Sequence, residues 1–285
     1  MSVVFALLLS AGWAQVQKRV YDFISIDPPG SVLTLARAIN AQGDIVGQFM
    51  SQDGQWHGFL LSNGNYRLID IDGSTVGWAA GINTRGDIVG EDSNGAYLLR
   101  RGEVIRINVP GALWTSPTKI NDAGDIVGAY GEVEYTECGP SHGFRLSNGE
   151  YTQIELPVAN VSGILVHGIN DAKELVGVYT LAQCNESDPE YHGFMLRRDG
   201  SFTKIDVPNA VGTVTYGINE KGVIVGNYSP AGGPTHGFLL WKGVFTDIDF
   251  PGAHNTRAFD INACGWIVGI YRDADNRAHG FLAIK

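Results

Sequence analysis

With 285 residues, 44% of them hydrophobic, the chain is long enough to bury a large core as one or two domains. A formal net charge of −10 at pH 7 argues against binding nucleic acid or anionic lipid through general electrostatics, because phosphate binding needs a basic face. Glycine fills 38 positions, nearly double its usual share, and recurs at fixed places, which points to many tight turns between short strands.

The first fourteen residues, MSVVFALLLSAGWA, carry no charged side chain. Their apolar run, residues 3–9, is too short to span a bilayer as a helix, and the small residues Gly12 and Ala14 before Gln15 suit cleavage there. The expectation is a signal peptide over 1–14, a mature domain over 15–285 without a transmembrane segment, and a secreted, periplasmic or extracellular location.

From Ile39 onward one motif recurs six times: INAQGDIVG, then INTRGDIVG at Ile82, INDAGDIVG at Ile120, INDAKELVG at Ile169, INEKGVIVG at Ile218 and INACGWIVG at Ile261. Successive copies start 43, 38, 49, 49 and 43 residues apart, the period of four-stranded propeller blades rather than of helical solenoids. In the first unit SVLTLARAIN reads as strand A, and Asn40 to Gly43 as a turn with a left-handed glycine into strand B, DIVGQF. Strand C, HGFLLS, then meets strand D, NYRLIDI, through Asn63-Gly64. Lys173 stands where the turn glycine is expected in the fourth unit, a position predicted to be strained or re-turned.

Counting outward from the C–D hairpin places a histidine opposite an acid in most units. The pairs are His57 with Asp70, His142 with Glu155, His192 with Asp206, and His236 with Asp249. In the second unit Gly95 and Asn108 replace both partners together, which argues that the two serve each other. The chain ends on a strand C without a D, and begins on a strand D without A, B or C. Pairing His279 with Asp27 closes a ring. The predicted fold is therefore all-β: a six-bladed β-propeller of four-stranded antiparallel blades, closed by a strand near residues 21–27 pairing with one near 279–284.

The D-to-A and B-to-C connections emerge on one face of such a disc, and variation concentrates there. From the glycine of IVG to the histidine (or Gly95) the spacing is 10, 5, 14, 15, 10 and 10 residues, and the two long loops are acidic. Trp78, Trp114, His254 and Arg257 lie toward that face. Strand A itself varies as Arg37, Ala80, Thr118, His167, Tyr216 and Phe259, each two before the repeated isoleucine. Arg37, Trp78, Trp114, His167, Tyr216, His254 and Arg257 are the candidate ligand-binding residues, an aromatic and polar set suited to a sugar or peptide; filling the wedges between blades is the competing role for the aromatics.

The repeated histidines sit on different blades and cannot converge on one metal, so no metal site and no cofactor are expected. The repeated acids are likewise too dispersed for a glycosidase dyad. No nucleophile elbow, phosphate loop or HExxH motif occurs, so no catalytic residue is assigned. Cys138 and Cys184 fall in the two adjacent long loops, where a disulfide would pin both; Cys264, in an A–B turn on the far face, is expected to stay unpaired.

The units resemble the HAF repeats of bacterial extracellular proteins: GIN at Gly81, Gly168 and Gly217, the IVG triplets, and HGF at His57, His142, His192, His236 and His279. Glycine replaces the middle alanine of HAF. The resemblance implies secretion and no particular activity. The expected function is a secreted module binding a glycan or protein through its loop-bearing face; a carbohydrate hydrolase or lyase with a site at the channel mouth, and a structural surface protein, are the alternatives.

Overall fold

The computed structural model of the protein describes residues 21–71, 77–134, 140–181 and 191–285. Residues 1–14, where a signal peptide is expected, and Cys138 and Cys184, where a disulfide is expected, lie outside the described residues. Every regular element described is a strand. After β1 (Asp22–Ile26), the first blade is β2 (Ser31–Ile39), β3 (Ile45–Ser51), β4 (Trp56–Ser62) and β5 (Asn65–Ile69). The second is β6 (Gly77–Ile82), β7 (Ile88–Asp92), β8 (Gly95–Arg100) and β9 (Glu103–Arg106), and the third β10 (Trp114–Ile120), β11 (Ile126–Gly131), β12 (His142–Ser147) and β13 (Glu150–Ile154). The fourth is β14 (Val161–Ile169), β15 (Leu175–Leu181), β16 (Tyr191–Leu196) and β17 (Phe202–Ile205). The fifth is β18 (Ala210–Ile218), β19 (Ile224–Pro230), β20 (His236–Trp241) and β21 (Val244–Ile248). The sixth has β22 (Asn255–Ile261), β23 (Ile267–Arg272) and β24 (Ala278–Ile284), and β1 completes it as the outer strand. All strand pairing within the blades is antiparallel, and Asp22 opposite Ile284 through Ile26 opposite Gly280 closes the six-bladed β-propeller.

The repeated letters have packing reasons. The valine at the second position of the IVG/LVG triplet (Val46, Val89, Val127, Val176, Val225, Val268) is fully buried in all six blades. So are the phenylalanines of HGF, Phe59, Phe144, Phe194, Phe238 and Phe281, with Tyr97 in the second blade. Burial of each such side chain stabilises by about 1.5–3 kcal/mol, so the wedges between blades dominate the stability.

The turn asparagine does two things. Asn40 Oδ1 accepts hydrogen bonds from the backbone N–H of Gln42 and Asp44 and so holds the A–B turn. Its Nδ2 donates to the carbonyl of Asn83 in the next blade, Asn83 to Asn121, Asn121 to Asn170, Asn170 to Asn219, Asn219 to Asn262, and Asn262 back to Asn40. Six buried carboxamides thus form a closed ring at 3.0–3.3 Å around the channel. Lys173 does not alter its turn: it takes the left-handed conformation itself, at φ 64°, with its N–H on the Asn170 carbonyl.

The register places each repeated histidine opposite its acid, but the contacts differ. Nδ1 lies 3.2 Å from Asp206 in His192, 2.8 Å from Asp249 in His236 and 2.9 Å from Asp27 in His279. His57 is looser, 3.6 Å from Asp70 and without a hydrogen bond on Nδ1. The expected pair between His142 and Glu155 does not form. Tyr130 donates to Gln153, and Gln153 donates to Glu155, which turns the acid to its own strand instead. What all five histidines share is a strand-B ring, Phe49, Tyr130, Tyr179, Tyr228 or Tyr271, with centroids 5.1–5.3 Å away. In the second blade a two-bond pair from Arg106 to Asp92 fastens the sheet edge.

His279 couples the ring closure to pH. Burial alone would lower its pKa, but hydrogen bonds that it donates to Asp27 and Asp273 and the charge of both outweigh this and hold it above 6.5. A raised folded-state pKa means that the stabilisation is complete below about 6.5 and is lost as pH rises through the folded value. The stability lost on His279→Gln, read from urea unfolding, is therefore expected to be largest in mild acid and to shrink as pH rises. A pH-independent loss would assign His279 to packing alone.

Candidate functional site

Every strand A contains a β-bulge at one equivalent place, and β2, β14 and β18 carry a second register shift near their start. The register slips between Ala36 and Ala38, Ala79 and Gly81, Pro117 and Lys119, Val166 and Gly168, Thr215 and Gly217, and Ala258 and Asp260. The residues skipped are Arg37, Ala80, Thr118, His167, Tyr216 and Phe259. A bulge re-aims the extra side chain out of the alternation of its strand. Here all six turn into the channel and line one cavity of about 220 Å³, with Trp78, Ser116 and Pro117 contributing to its wall. The conserved geometry of the blade and the unlike residues at this one position make the cavity asymmetric.

Half of its floor is aromatic. His167 stacks on Tyr216 at 4.6 Å and 20°, and Tyr216 meets Phe259 edge to face at 5.0 Å. The Arg37 guanidinium lies 5.1 Å from the centre of the Phe259 ring. Burial pushes Arg37 below its usual pKa, Tyr216 pulls it up, and Arg257 pushes it down. Burial, against a hydrogen bond to the Thr215 carbonyl, brings His167 down to about 4, with the Arg37 charge adding to the fall, so the imidazole is neutral at physiological pH. Tyr216 is held above its usual value by burial, opposed by Arg257 and Arg37. Among the described residues no carboxylate lines the cavity. Behind its wall is Glu91, directly across from Trp78 and hydrogen-bonded by Ser116, which burial pushes up to about 7.

One residue farther along the strands the channel is crossed. The Lys119 ammonium of the third blade contacts the Asp260 carboxylate of the sixth, on the opposite side of the ring, and the same oxygen accepts the Ile39 N–H at 2.8 Å. Beyond that pair lies the asparagine ring and a smaller cavity of about 80 Å³. The acids at that lower opening are engaged: Asp122 accepts the Thr84 N–H, Asp171 that of Asp122, and Glu220 that of Asp171. The upper cavity is thus a blind funnel, open toward the loop-bearing face.

Of the seven candidate residues, Arg37, Trp78, His167 and Tyr216 line the funnel, and Arg257 acts on Arg37 and Tyr216 through its charge. Trp114 does not line it: its ring packs over Gly131 and its Nε1 donates to the Val133 carbonyl. His254 is exposed and does not line it. Lys119, Asp260, Glu91 and Ser116 were missed from sequence. The signal for the first two was available: the residue before the repeated isoleucine is Ala38, Gly81, Gly168 or Gly217 in four blades, and opposite charges occupy the remaining two, half a ring apart.

A second constellation imitates catalytic machinery. In a groove at the edge of the first blade Ser51 Oγ lies 3.2 Å from His57 Nε2, and Asp70 lies beyond Nδ1. A serine, histidine and acid need the acid to orient the imidazole. Here Nδ1 has no hydrogen bond, and the Ser51 hydroxyl donates to Asp53. His279 occupies the same setting between Asp27 and Asp273 with no hydroxyl, so the arrangement is a blade-edge fastening. Among the described residues no group of three or more His, Cys, Asp or Glu could hold a metal ion, Cys264 is an exposed free thiol, and no helix is long and apolar enough to cross a membrane.

No protein-family model matches the chain, and no curated protein matches it in sequence. Solved structures do match in fold. A gluconolactonase of Xanthomonas campestris is similar over 93% of this chain and 90% of its own, with a TM-score of 0.54 and 13% identity. The protein AofleA of Arthrobotrys oligospora is similar over 93% and 86%, with a TM-score of 0.54 and 11% identity. The β-propeller domain of the Trilobed protease from Pyrococcus furiosus, described as having an open velcro topology, matches over 89% and 94%, with a TM-score of 0.50 and 12% identity. At these identities the likeness is one of fold.

Proposed function

We propose that the chain is an extracellular propeller module that binds a small ligand, or the end of a carbohydrate, in the blind funnel on its loop-bearing face. The observation that carries this reading is the set of six bulges aimed into one cavity: a purely structural ring has no need to place six different side chains at six equivalent positions. The aromatic floor supports a ring-shaped ligand, and the lack of a carboxylate among the described lining residues weighs against acid–base hydrolysis by a carboxylate pair. Export is part of the same reading, supported by the apolar stretch at residues 1–14 and by the HAF-type resemblance.

One observation favours a catalytic alternative. Glu91, pushed up to about 7 behind Ser116, has the pKa of a general acid or base at neutral pH. In a panel of saccharides tested by thermal shift, the binding reading expects at least one to raise the melting temperature without being consumed, and Tyr216→Ala to abolish that rise. A ligand whose effect survives Tyr216→Ala would remove the funnel from the account. Turnover that is lost in Glu91→Gln would establish the alternative.

A further inference from the structure

We infer that the ligand of the funnel is the terminal uronic-acid residue of an acidic saccharide, its carboxylate held by Arg37 and its ring lying against His167 and Tyr216. This rests on the funnel being the ligand site and specifies the chemical class that the funnel takes.

The first argument is charge. Among the described residues Arg37 has no hydrogen-bond or ion-pair partner, although it is surrounded by protein and shares the funnel with no carboxylate. A half-buried guanidinium without a protein partner leaves its donors free for a ligand, and its planar fork matches a carboxylate with two parallel hydrogen bonds. Arg257 adds a second positive charge nearby, in a chain whose net charge is −10. His167 and Tyr216 are neutral and contribute faces rather than charge.

The second argument is size and access. A volume of about 220 Å³ lies below the roughly 300–1,000 Å³ of sites for drug-sized ligands and suits a single sugar ring. His167, Tyr216 and Phe259 give that ring an aromatic wall. Beneath the floor the Lys119–Asp260 pair and the six asparagines close the channel, so a polymer cannot thread through. Only a chain end, or a free monosaccharide, can enter.

The test is isothermal titration of the full chain with D-glucuronate and D-galacturonate, against D-glucose, D-galactose and inorganic phosphate. A uronate is expected to bind more tightly than its uncharged counterpart. Arg37→Gln should weaken that binding about ten- to a hundredfold while leaving the melting temperature and any weak neutral-sugar binding in place. Arg37→Lys, which keeps the charge and loses the fork, should recover only part of it. Arg257→Gln, at an exposed position, gives a second variant with a smaller loss should Arg37→Gln fail to fold. Equal binding of uronate and neutral sugar, or a uronate affinity that Arg37→Gln leaves unchanged, would overturn the acidic class while sparing the funnel. Phosphate binding as tightly as a uronate would reduce the site to a bare anion pocket and overturn the saccharide. If neither charged nor neutral sugars bind, both this inference and the carbohydrate reading of the funnel fall. Oligogalacturonides of defined length should bind one protein per chain; a stoichiometry that grows with length would overturn the terminal mode.

Discussion

Gly226→Ala is expected to cost about 3 kcal/mol or more, at the top of the range for overpacked interiors. A Cβ at Gly226 would sit 2.1 Å from the Val214 carbonyl oxygen and 2.8 Å from two carbons of the Phe238 ring. The oxygen belongs to the strand that carries the Tyr216 bulge and cannot swing aside as a side-chain tip would. The same approach recurs at Gly47, Gly90, Gly128, Gly177 and Gly269, so the glycine of IVG exists because of the bulge. The blade therefore has two routes under this substitution: to distort, or to flatten the bulge and withdraw Tyr216 from the funnel. Urea unfolding should show the loss in the midpoint, with Gly64→Ala as a comparison. Gly64 lies in a hairpin at φ 76° with no atom within 4 Å of a would-be Cβ, and its replacement should cost only about 1 kcal/mol. Equal losses at the two sites would mean that the bulge does not dictate the glycine.

Lys119→Met is the second large effect. It leaves the Asp260 carboxylate, whose side chain is 2% exposed, with the Ile39 N–H and no countercharge. Breaking one side of a buried pair typically costs about 3–5 kcal/mol, whereas replacing both partners is often near neutral. The double variant Lys119→Met with Asp260→Asn keeps an acceptor for Ile39, removes both charges, and should recover most of the loss. The two strands sit half a ring apart, so this coupling links opposite blades directly rather than through their neighbours. A single variant within about 1 kcal/mol of the parent would show that the pair is solvated.

Much of the fold could be read from the chain because its determinants are local and repeated. The IN…G turn, the two-residue C–D hairpins and alternation within each strand fix four-stranded blades, and the unmatched strands at the two ends fix their closure into a ring. The hairpin count also located the histidines opposite their acids, since register follows from loop length alone. It could not foresee that Gln153 would draw Glu155 away from His142, which depends on side-chain competition within a single blade. The variable position two before the isoleucine was visible as variation, but the bulge that points it inward was not: a bulge keeps the apolar letters of the strand and shifts only their pairing. The asparagine ring was hidden for a related reason. Each Asn serves its own turn, and that local role fully accounts for its presence in the sequence, while the bond to the next blade exists only once the ring has closed. Lys119 and Asp260 required knowing which blades face each other. Trp114 misled because an aromatic near the mouth suits both a ligand and its own strand edge, and here Gly131 leaves room for the ring to fold down.

Titration of the full chain with D-galacturonate, followed by two-dimensional NMR with indole and imidazole resonances assigned, tests most directly whether the funnel is the ligand site. The Trp78 indole, the His167 imidazole and the amides of Thr118, Tyr216 and Phe259 should shift together and saturate together, with the asparagine-ring amides and the Trp266 indole unmoved. Saturable shifts confined to the groove around Ser51 and His57, or to the turn face around Asn121 and Asn262, would contradict the account.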